Sequence, residues 1–309
     1  MAYLLLVLTV LFWAGNFVLA RSLVDILPPF SMAGMRWTLA FLILLPFVFN
    51  HVKRDWRLLL KHWKIVSILS LFGVAAFNCL IYLGVQKTTA TNATLLQSAI
   101  PIMVLLVCVF VYRERLSKRQ LMGVFSSFVG VLFIISEGKF STMLSLQLNI
   151  GDLWILAAVT CWTIYSILLR YKPVQISGLS LLAANIFIGN LLIYPFVYLE
   201  LFYWEGQTFS LAQFTLTQDI VIATLYLAVF PSLLSYLFWN RAVAEVGAAK
   251  ASLFIHLLPV FGTILAAIFL DEQPQNFHFI GIGLIFSGIY LAIIADLVRG
   301  LRKPKLAVK

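Results

Sequence analysis

Two side chains stand in sequence too apolar to hydrate them, and they decide which chemistry to consider first. Arg36 lies in the run SMAGMRWTLAFLILL, and a guanidinium is the side chain that forks onto a carboxylate. Three readings compete for it. It recognises a solute carboxylate, it gates by forming an ion pair, or it snorkels outward to a structural partner such as Asp25 or a carbonyl. His256, in AAKASLFIHLLPV, is the one histidine deep in an apolar run. With an ordinary pKa of ~6.5 it could bind solute or carry a proton; the alternative is a neutral ring bonded between helices. A lone histidine makes no metal site, and no cofactor is implied. Glu114 and Glu272 fall at the ends of apolar runs, where they read as charges that lock helix ends. With no carboxylate at mid-run, proton coupling through an acid lacks support, and uniport or facilitated export stays open.

Around these residues lie polar and aromatic side chains at helical spacing. Ser232, Ser235, Tyr236 and Trp239 recur at i, i+3, i+4 and i+7. Asn78 and Tyr82 are i, i+4; Thr94, Ser98 and Pro101 are i, i+4, i+7, as are Ser252, His256 and Pro259. Trp13 and Asn16, and likewise Trp162 and Tyr165, are i, i+3. Any one serine or threonine is accounted for by an interhelical or back-bonded hydroxyl. Together the faces predict a central polar and aromatic chamber, suited to an amphipathic organic solute rather than a bare ion. Pro101 and Pro259 each lack an N–H and free the carbonyls of Gln97 and Ile255, so each bends its helix beside that chamber.

The elements that position them follow from composition. Of 309 residues 62% are hydrophobic and 11% charged, against about 25% charged in soluble domains. Ten apolar runs are long enough to cross a bilayer: 3–20, 30–49, 65–85, 93–112, 120–137, 151–169, 178–200, 219–240, 251–270 and 277–297. The first has no basic n-region and reads as a membrane helix rather than a leader. Cys79, Cys108 and Cys161 all lie within runs and form no CxxC pair. Lys53, Arg54, Arg57, Lys61 and Lys64, then Arg113, Arg115, Lys118 and Arg119, then Arg170, Lys172, Arg241 and Lys250 mark one side, together with the basic tail. That pattern places both termini in the cytoplasm. The net charge of +10 is therefore orientation signal and attraction to anionic lipid, not a nucleic-acid surface.

The chain is also duplicated. Trp13 pairs with Trp162, Arg21 with Arg170 and Pro46 with Pro195 at an offset of 149 residues. After a loop insertion the offset is 158, pairing Pro101 with Pro259, Glu114 with Glu272, Gly123 with Gly281 and Gly130 with Gly288. A five-helix unit repeated must enter the membrane from the opposite side, giving an inverted repeat with its binding site near the midplane. The expected organisation is an all-α membrane protein with one repeat over 1–139, a second over 150–297 and a basic tail over 298–309. Gly123, Ser127, Gly130, Gly281, Gly283, Ser287 and Gly288 are expected to be close helix contacts, within the fold or between two copies in a homodimer.

FWAGNF at 12–17, Met35-Arg36-Trp37, TTATNATLLQSAIP at 88–101, YRERL at 112–116 and AAKASLFIHLLPV at 248–260 resemble the EamA-type branch of the drug/metabolite transporter superfamily, over nearly the whole chain. The resemblance implies a ten-helix carrier of the bacterial inner membrane, and family members export or exchange amino acids, other metabolites and drugs.

The resulting expectation is a multi-pass alternating-access transporter of a small organic metabolite, an amino acid or related amphipathic compound. Its solute contacts would be Trp13, Asn16, Asn78, Tyr82, Ser98, Trp162, Tyr165, Ser235, Tyr236, Trp239 and His256. Arg36, Pro101, Pro259, Glu114 and Glu272 would gate or brace. A multidrug carrier of the same fold is the alternative. An intramembrane enzyme is remote: there is no GxSxG, no HExxH and no deep acid pair, and His256 with Ser98 or Ser235 is the one candidate couple.

Overall fold

The computed structural model describes residues 1–23, 27–88, 90–114, 117–139, 141, 149–203, 217–269 and 274–302. Ten helices account for nearly all of them: α1 (Ala2–Leu23), α2 (Pro29–Lys61), α3 (Trp63–Lys87), α4 (Asn92–Phe110), α5 (Lys118–Ile135), α6 (Ile150–Tyr171), α7 (Gly178–Tyr203), α8 (Ile220–Val246), α9 (Ala248–Leu265) and α10 (Asn276–Arg302). Nine of these meet the length and hydropathy of a membrane span, and the apolar stretch Ala2–Asn16 of α1 lies beside them. The chain is thus a helical, multi-pass membrane protein in which the bilayer takes the place of water around large exposed side chains such as Phe47, Phe110 and Phe125.

Three helices run well past the ends read from hydropathy. The span expected at 30–49 is the first part of a 33-residue helix that carries Lys53, Arg54, Arg57 and Lys61 on its last turns. Hydropathy reports where lipid ends, whereas the helix stops only where its backbone bonding stops. No Gly or Pro lies between Asn50 and Lys61, and Leu, Arg and Lys propagate a helix well. α8 likewise passes residue 240 to Val246, again with no Gly or Pro in the overrun, and α10 passes residue 297 to Arg302 through Gly300.

Four helices are broken, in two matched pairs. A wide π turn interrupts α3 at Leu71–Ala76 and α8 at Ala228–Leu234. The regular turn of α4 fails at Ser98 and Ala99, and α9 tightens to a 3-10 turn at Phe254–Leu257. Each of the latter breaks lies just before its proline. Pro101 and Pro259 then sit in the first turn of the renewed helix, where a missing N–H costs nothing. Both pairs obey the 158-residue offset, so the repeat extends to backbone defects.

The two repeats interlock rather than stand apart. α1 packs on α8, α3 on α6, α2 on α7 and α5 on α10, each pair drawing one helix from either half. Residues at equivalent positions even touch. Trp13 meets Trp162 with ring centroids 5.0 Å apart. Asn78 Nδ2 donates to the Tyr236 hydroxyl at 3.3 Å, His256 Nε2 donates to the Ser98 carbonyl at 3.0 Å, and Ser126 Oγ donates to the Leu284 carbonyl at 3.1 Å. A residue can reach its own repeat mate only on the two-fold axis. Those contacts therefore trace the axis from the α1–α6 crossing through the middle of the bundle to the α5–α10 crossing.

The α2–α7 pair is closed at both ends by buried carboxylates. Glu200, at the end of α7, accepts from the N–H groups of Phe30 (2.9 Å) and Ser31 (2.6 Å) and from Ser31 Oγ (2.7 Å). Asp55, toward the end of α2, accepts from Ser177 N (2.9 Å) and Ser180 Oγ (2.8 Å) at the start of α7, and from Arg54 Nε at 2.9 Å. Ser31 and Ser180 are themselves at the 149 offset. Each acid fills N–H groups that have no partner within their own helix and meets the positive end of its dipole. Glu200→Ala should therefore cost about 2–3 kcal/mol, because two buried N–H groups lose their acceptor. In detergent that is a fall in Tm of roughly 5–10 °C; an unchanged melting curve would show that the cap contributes nothing.

Candidate functional site

On the axis, between the four broken helices, lies a small central cavity of about 30 Å³. It is lined by Trp13 and Asn16 of α1, Arg36 of α2, Phe77, Asn78 and Ile81 of α3, Gln97 and Ile100 of α4, Trp162 of α6, Tyr236 of α8, and Ile255 and Leu258 of α9. That is room for one or two waters. The aromatic rings close on one another instead of standing around an open chamber. Trp162 is 5.5 Å from Tyr236, 5.6 Å from Trp239, 5.2 Å from Tyr165 and 4.8 Å from Phe77, and Trp239 lies 5.3 Å from Trp13.

The π turns feed this cluster with polar groups. A wide turn leaves backbone carbonyls unsatisfied by its own helix. In α3 the Gly73 carbonyl accepts from the Tyr236 hydroxyl at 2.5 Å and from Asn78 Nδ2 at 3.3 Å. In α8 the Pro231 carbonyl accepts from Trp13 Nε1 at 3.2 Å. Among the described residues Trp162 Nε1, the repeat equivalent of that donor, has no hydrogen-bond partner, and neither has Trp239 Nε1.

Arg36 is 3% exposed. Its Nη1 donates to Asn16 Oδ1 at 3.1 Å and to the Tyr82 hydroxyl at 2.6 Å, and its Nη2 donates to Asn78 Oδ1 at 2.6 Å. The guanidinium carbon lies 5.0 Å from the Trp37 ring and 5.7 Å from the Tyr82 ring, close enough for cation–π attraction. Every one of these partners is neutral, Nε has none, and among the described residues no carboxylate comes within ion-pair distance of it. Asp25 lies outside the described residues. The position equivalent to Arg36 in the second repeat is Asn185, whose side chain accepts from Ser70 Oγ at 3.2 Å. Only one half carries the cation.

Tyr82 and Asn240 are repeat mates, and so are Asn16 and Tyr165. The contacts match although the residues are exchanged. Tyr165 donates to Asn240 Oδ1 at 2.6 Å on one side of the cavity, and Tyr82 approaches Asn16 Oδ1 at 3.5 Å on the other. Asn240 went unnoticed in the sequence reading, although its offset from Tyr82 is the signal that finds it. Gln97 and Phe77 likewise line the cavity without having been singled out.

The remaining candidates stand off the cavity. Ser98 Oγ donates to Leu95 O at 2.5 Å within its own helix, and Ser235 Oγ lies 2.9 Å from Phe230 O of its own helix and 3.4 Å from Thr9 O of α1. His256 faces α5, with Nδ1 at 2.7 Å from Ser127 Oγ, and ties the α4 and α9 breaks together through the Ser98 carbonyl. Glu114, at the end of α4, pairs with Arg170 at 3.0 Å, while Glu272 lies outside the described residues. Among the described residues no group of His, Cys, Asp or Glu could hold a metal ion.

The comparisons agree with this architecture. The sequence pattern of the EamA-like transporter family matches residues 1–136 and again 149–294. A transporter from Archaeoglobus fulgidus, described as uncharacterized, is 30% identical over 94% of this chain and 96% of its own length. YyaM of Bacillus subtilis, also described as an uncharacterized transporter, is 29% identical over 94% of this chain and 92% of its own. A probable amino-acid metabolite efflux pump of Salmonella typhimurium is 27% identical over 96% and 95%. One solved crystal structure superposes on 98% of this chain with a TM-score of 0.73 at 17% identity, which is a likeness of fold.

Proposed function

The chain belongs to the EamA-like transporter family and is a membrane transporter rather than an enzyme, and on that premise we propose that it exports a small carboxylate-bearing metabolite, an amino acid or related amphipathic compound, by alternating access. The observation that carries the substrate class is Arg36. A buried guanidinium that lines an aromatic cavity and has only neutral partners is a charge waiting for its counter-ion. The rings around it would hold the apolar part of the solute. Trp13, Asn16, Asn78, Tyr82, Trp162, Tyr165, Tyr236 and Trp239 are the contacts in this reading. Ser98, Ser235 and His256 instead fasten the helix breaks. The name of the Salmonella relative supports the same class. The basic loops support a bacterial inner membrane with both termini cytoplasmic.

A small-molecule site commonly has 300 Å³ or more, so the cavity must widen about tenfold to receive such a solute. Two π turns and two proline-linked breaks are the joints available for it, because they surround the cavity and hold the carbonyls its side chains engage. The test is uptake of radiolabelled amino acids and their metabolites into proteoliposomes. Trp162→Ala or Tyr82→Ala should reduce transport by at least about tenfold, the loss of one stacked or hydrogen-bonded contact, with normal folded yield. Wild-type rates after replacing Trp13, Tyr82, Trp162 and Tyr236 together would sink the proposal.

A further inference from the structure

A second, larger cavity of about 460 Å³ opens where α6 and α8 end, on the side marked by the basic loops. Ser166, Leu169, Arg170, Lys172, Val243 and Gly247 line it. Two of these are cations. Arg170 is engaged, bonded to Glu114 at 3.0 Å and lying 3.7 Å over the Tyr112 ring. Lys172 is half-buried and has no carboxylate within ion-pair distance among the described residues. Burial pulls its ammonium below its ordinary pKa, the mark of a charge that has lost water without gaining a counter-ion. Ser166 is fully buried, and its hydroxyl has no hydrogen-bond partner among the described residues. A cation, a spare hydroxyl donor and an apolar wall form a site for a small organic anion.

The cavity also has a route inward. On α6 the face Trp162, Ser166, Arg170 recurs at i, i+4, i+8, and on α8 Tyr236, Asn240, Val243 and Gly247 descend together. The upper members of both faces line or border the central cavity, and the lower members line this one. At the level between them Tyr165 donates to Asn240 at 2.6 Å, both side chains buried. The Tyr165 ring lies on Gly73, inside the π turn of α3, where any larger residue would strike it. Asn240 Nδ2 has no hydrogen-bond partner among the described residues.

We propose that this cavity is a second binding site, a waiting site for soluble organic anions carrying a carboxylate, and that the Tyr165–Asn240 bond is the latch between it and the central cavity. Its place on the export route rests on the transport reading above; its affinity for anions does not, and the test separates the two. Ala244 lines the cavity and is exposed, and the native Cys79, Cys108 and Cys161 are buried, so Ala244→Cys is a reporter thiol. In phosphatidylcholine proteoliposomes its reaction rates with anionic sulfonatoethyl and cationic trimethylammonioethyl methanethiosulfonate give the local potential without any knowledge of the solute. The anionic-to-cationic ratio should fall about tenfold with Lys172→Gln and return with Lys172→Arg. Indole-3-acetate should protect the thiol, and protection should vanish with Lys172→Gln. For the latch, Gln97→Cys reports on the central cavity, and Tyr165→Phe should speed its labelling about fivefold, the worth of one hydrogen bond. A ratio insensitive to Lys172→Gln would overturn the site. So would protection by added phosphatidylglycerol but not by indole-3-acetate, which would assign the cavity to a lipid headgroup. Unchanged Gln97→Cys labelling in Tyr165→Phe would overturn the latch.

Discussion

Arg36→Gln will lower transport of a carboxylate-bearing solute by at least about 100-fold while leaving Tm equal or higher. Transport falls because truncating one partner of a buried, hydrogen-bonded charge pair costs about 2–5 kcal/mol. Stability holds because, without solute, the guanidinium is desolvated against Asn16, Asn78 and Tyr82, none of which returns a full negative charge, and its Nε is unmatched. A buried charge without a counter-ion carries a desolvation cost of several kcal/mol that glutamine does not. Glutamine can still bond to one of the two asparagines. Arg36→Lys should fail nearly as badly as glutamine, since a point charge cannot span the three acceptors and still present a fork to a carboxylate. The measurement pairs proteoliposome uptake with thermal unfolding in detergent, and compares the solute with its neutral amide. Wild-type protein should prefer the acid, and the preference should collapse in Arg36→Gln. If Tm drops by more than roughly 5 °C and acid and amide are lost alike, Arg36 braces the bundle and reads nothing.

The placement of Arg36 shows how far one sequence carries and where it stops. Its depth followed from counting residues into an apolar run, and the polar faces of α1 and α3 followed from helical spacing. That the three helices turn those faces on one another depends on how α2 rolls against α7, which is fixed by Glu200 and Asp55 at the two ends of the pair. Those acids sit at the margins of hydropathy windows, where helical spacing does not single them out. The breaks in α4 and α9 were legible, because a proline announces which carbonyl it frees. The π turns were not, since Gly73 and Pro231 weaken a helix without saying whether it kinks, stops or widens. The chamber itself was the largest divergence. Side chains expected around an open space close upon each other, because with nothing between them aromatic rings gain more from mutual contact than from enclosing a void.

The exchanged Asn and Tyr pairs gain meaning from the same symmetry. Inverted repeats place equivalent contacts on opposite sides of the midplane, so Tyr165–Asn240 and Tyr82–Asn16 flank the central cavity from its two ends. Arg36 joins only the second pair. A solute carboxylate that drew Arg36 toward itself would loosen the Asn16–Tyr82 side and leave the Tyr165–Asn240 side intact. In the orientation proposed from the loop charges that would be the outer side. In the proposed export reading, occupancy would therefore favour release to the outside.

The second large effect concerns stability and tests the repeat without reference to any solute. Gly123→Val and Gly281→Val should each destabilise the protein by about 3 kcal/mol or more, and by equal amounts, whereas Gly283→Val should change little. α5 and α10 cross with backbone on backbone. A Cβ on Gly123 would stand 2.5 Å from the Gly288 carbonyl oxygen, and one on Gly281 would stand 2.8 Å from the Gly130 carbonyl oxygen and closer still to Ile134 Cγ1. A flexible side chain could swing away from such an intrusion; a carbonyl within a helix cannot, so the helices must part along their whole crossing. The Ser126 bond to the Leu284 carbonyl sits on that crossing and would break with it. Gly283 has nothing within 4 Å of where its Cβ would be, which makes it the internal control on the same helix. Folded yield and Tm in detergent give the result, with a drop of roughly 6–12 °C expected at each sensitive position. Equal losses at Gly123 and Gly281 would confirm that one contact has been built twice by the duplication. A large loss at one and none at the other would mean that the two-fold relation fails at this crossing, and that the axis traced through Trp13–Trp162 and Ser98–His256 does not reach it.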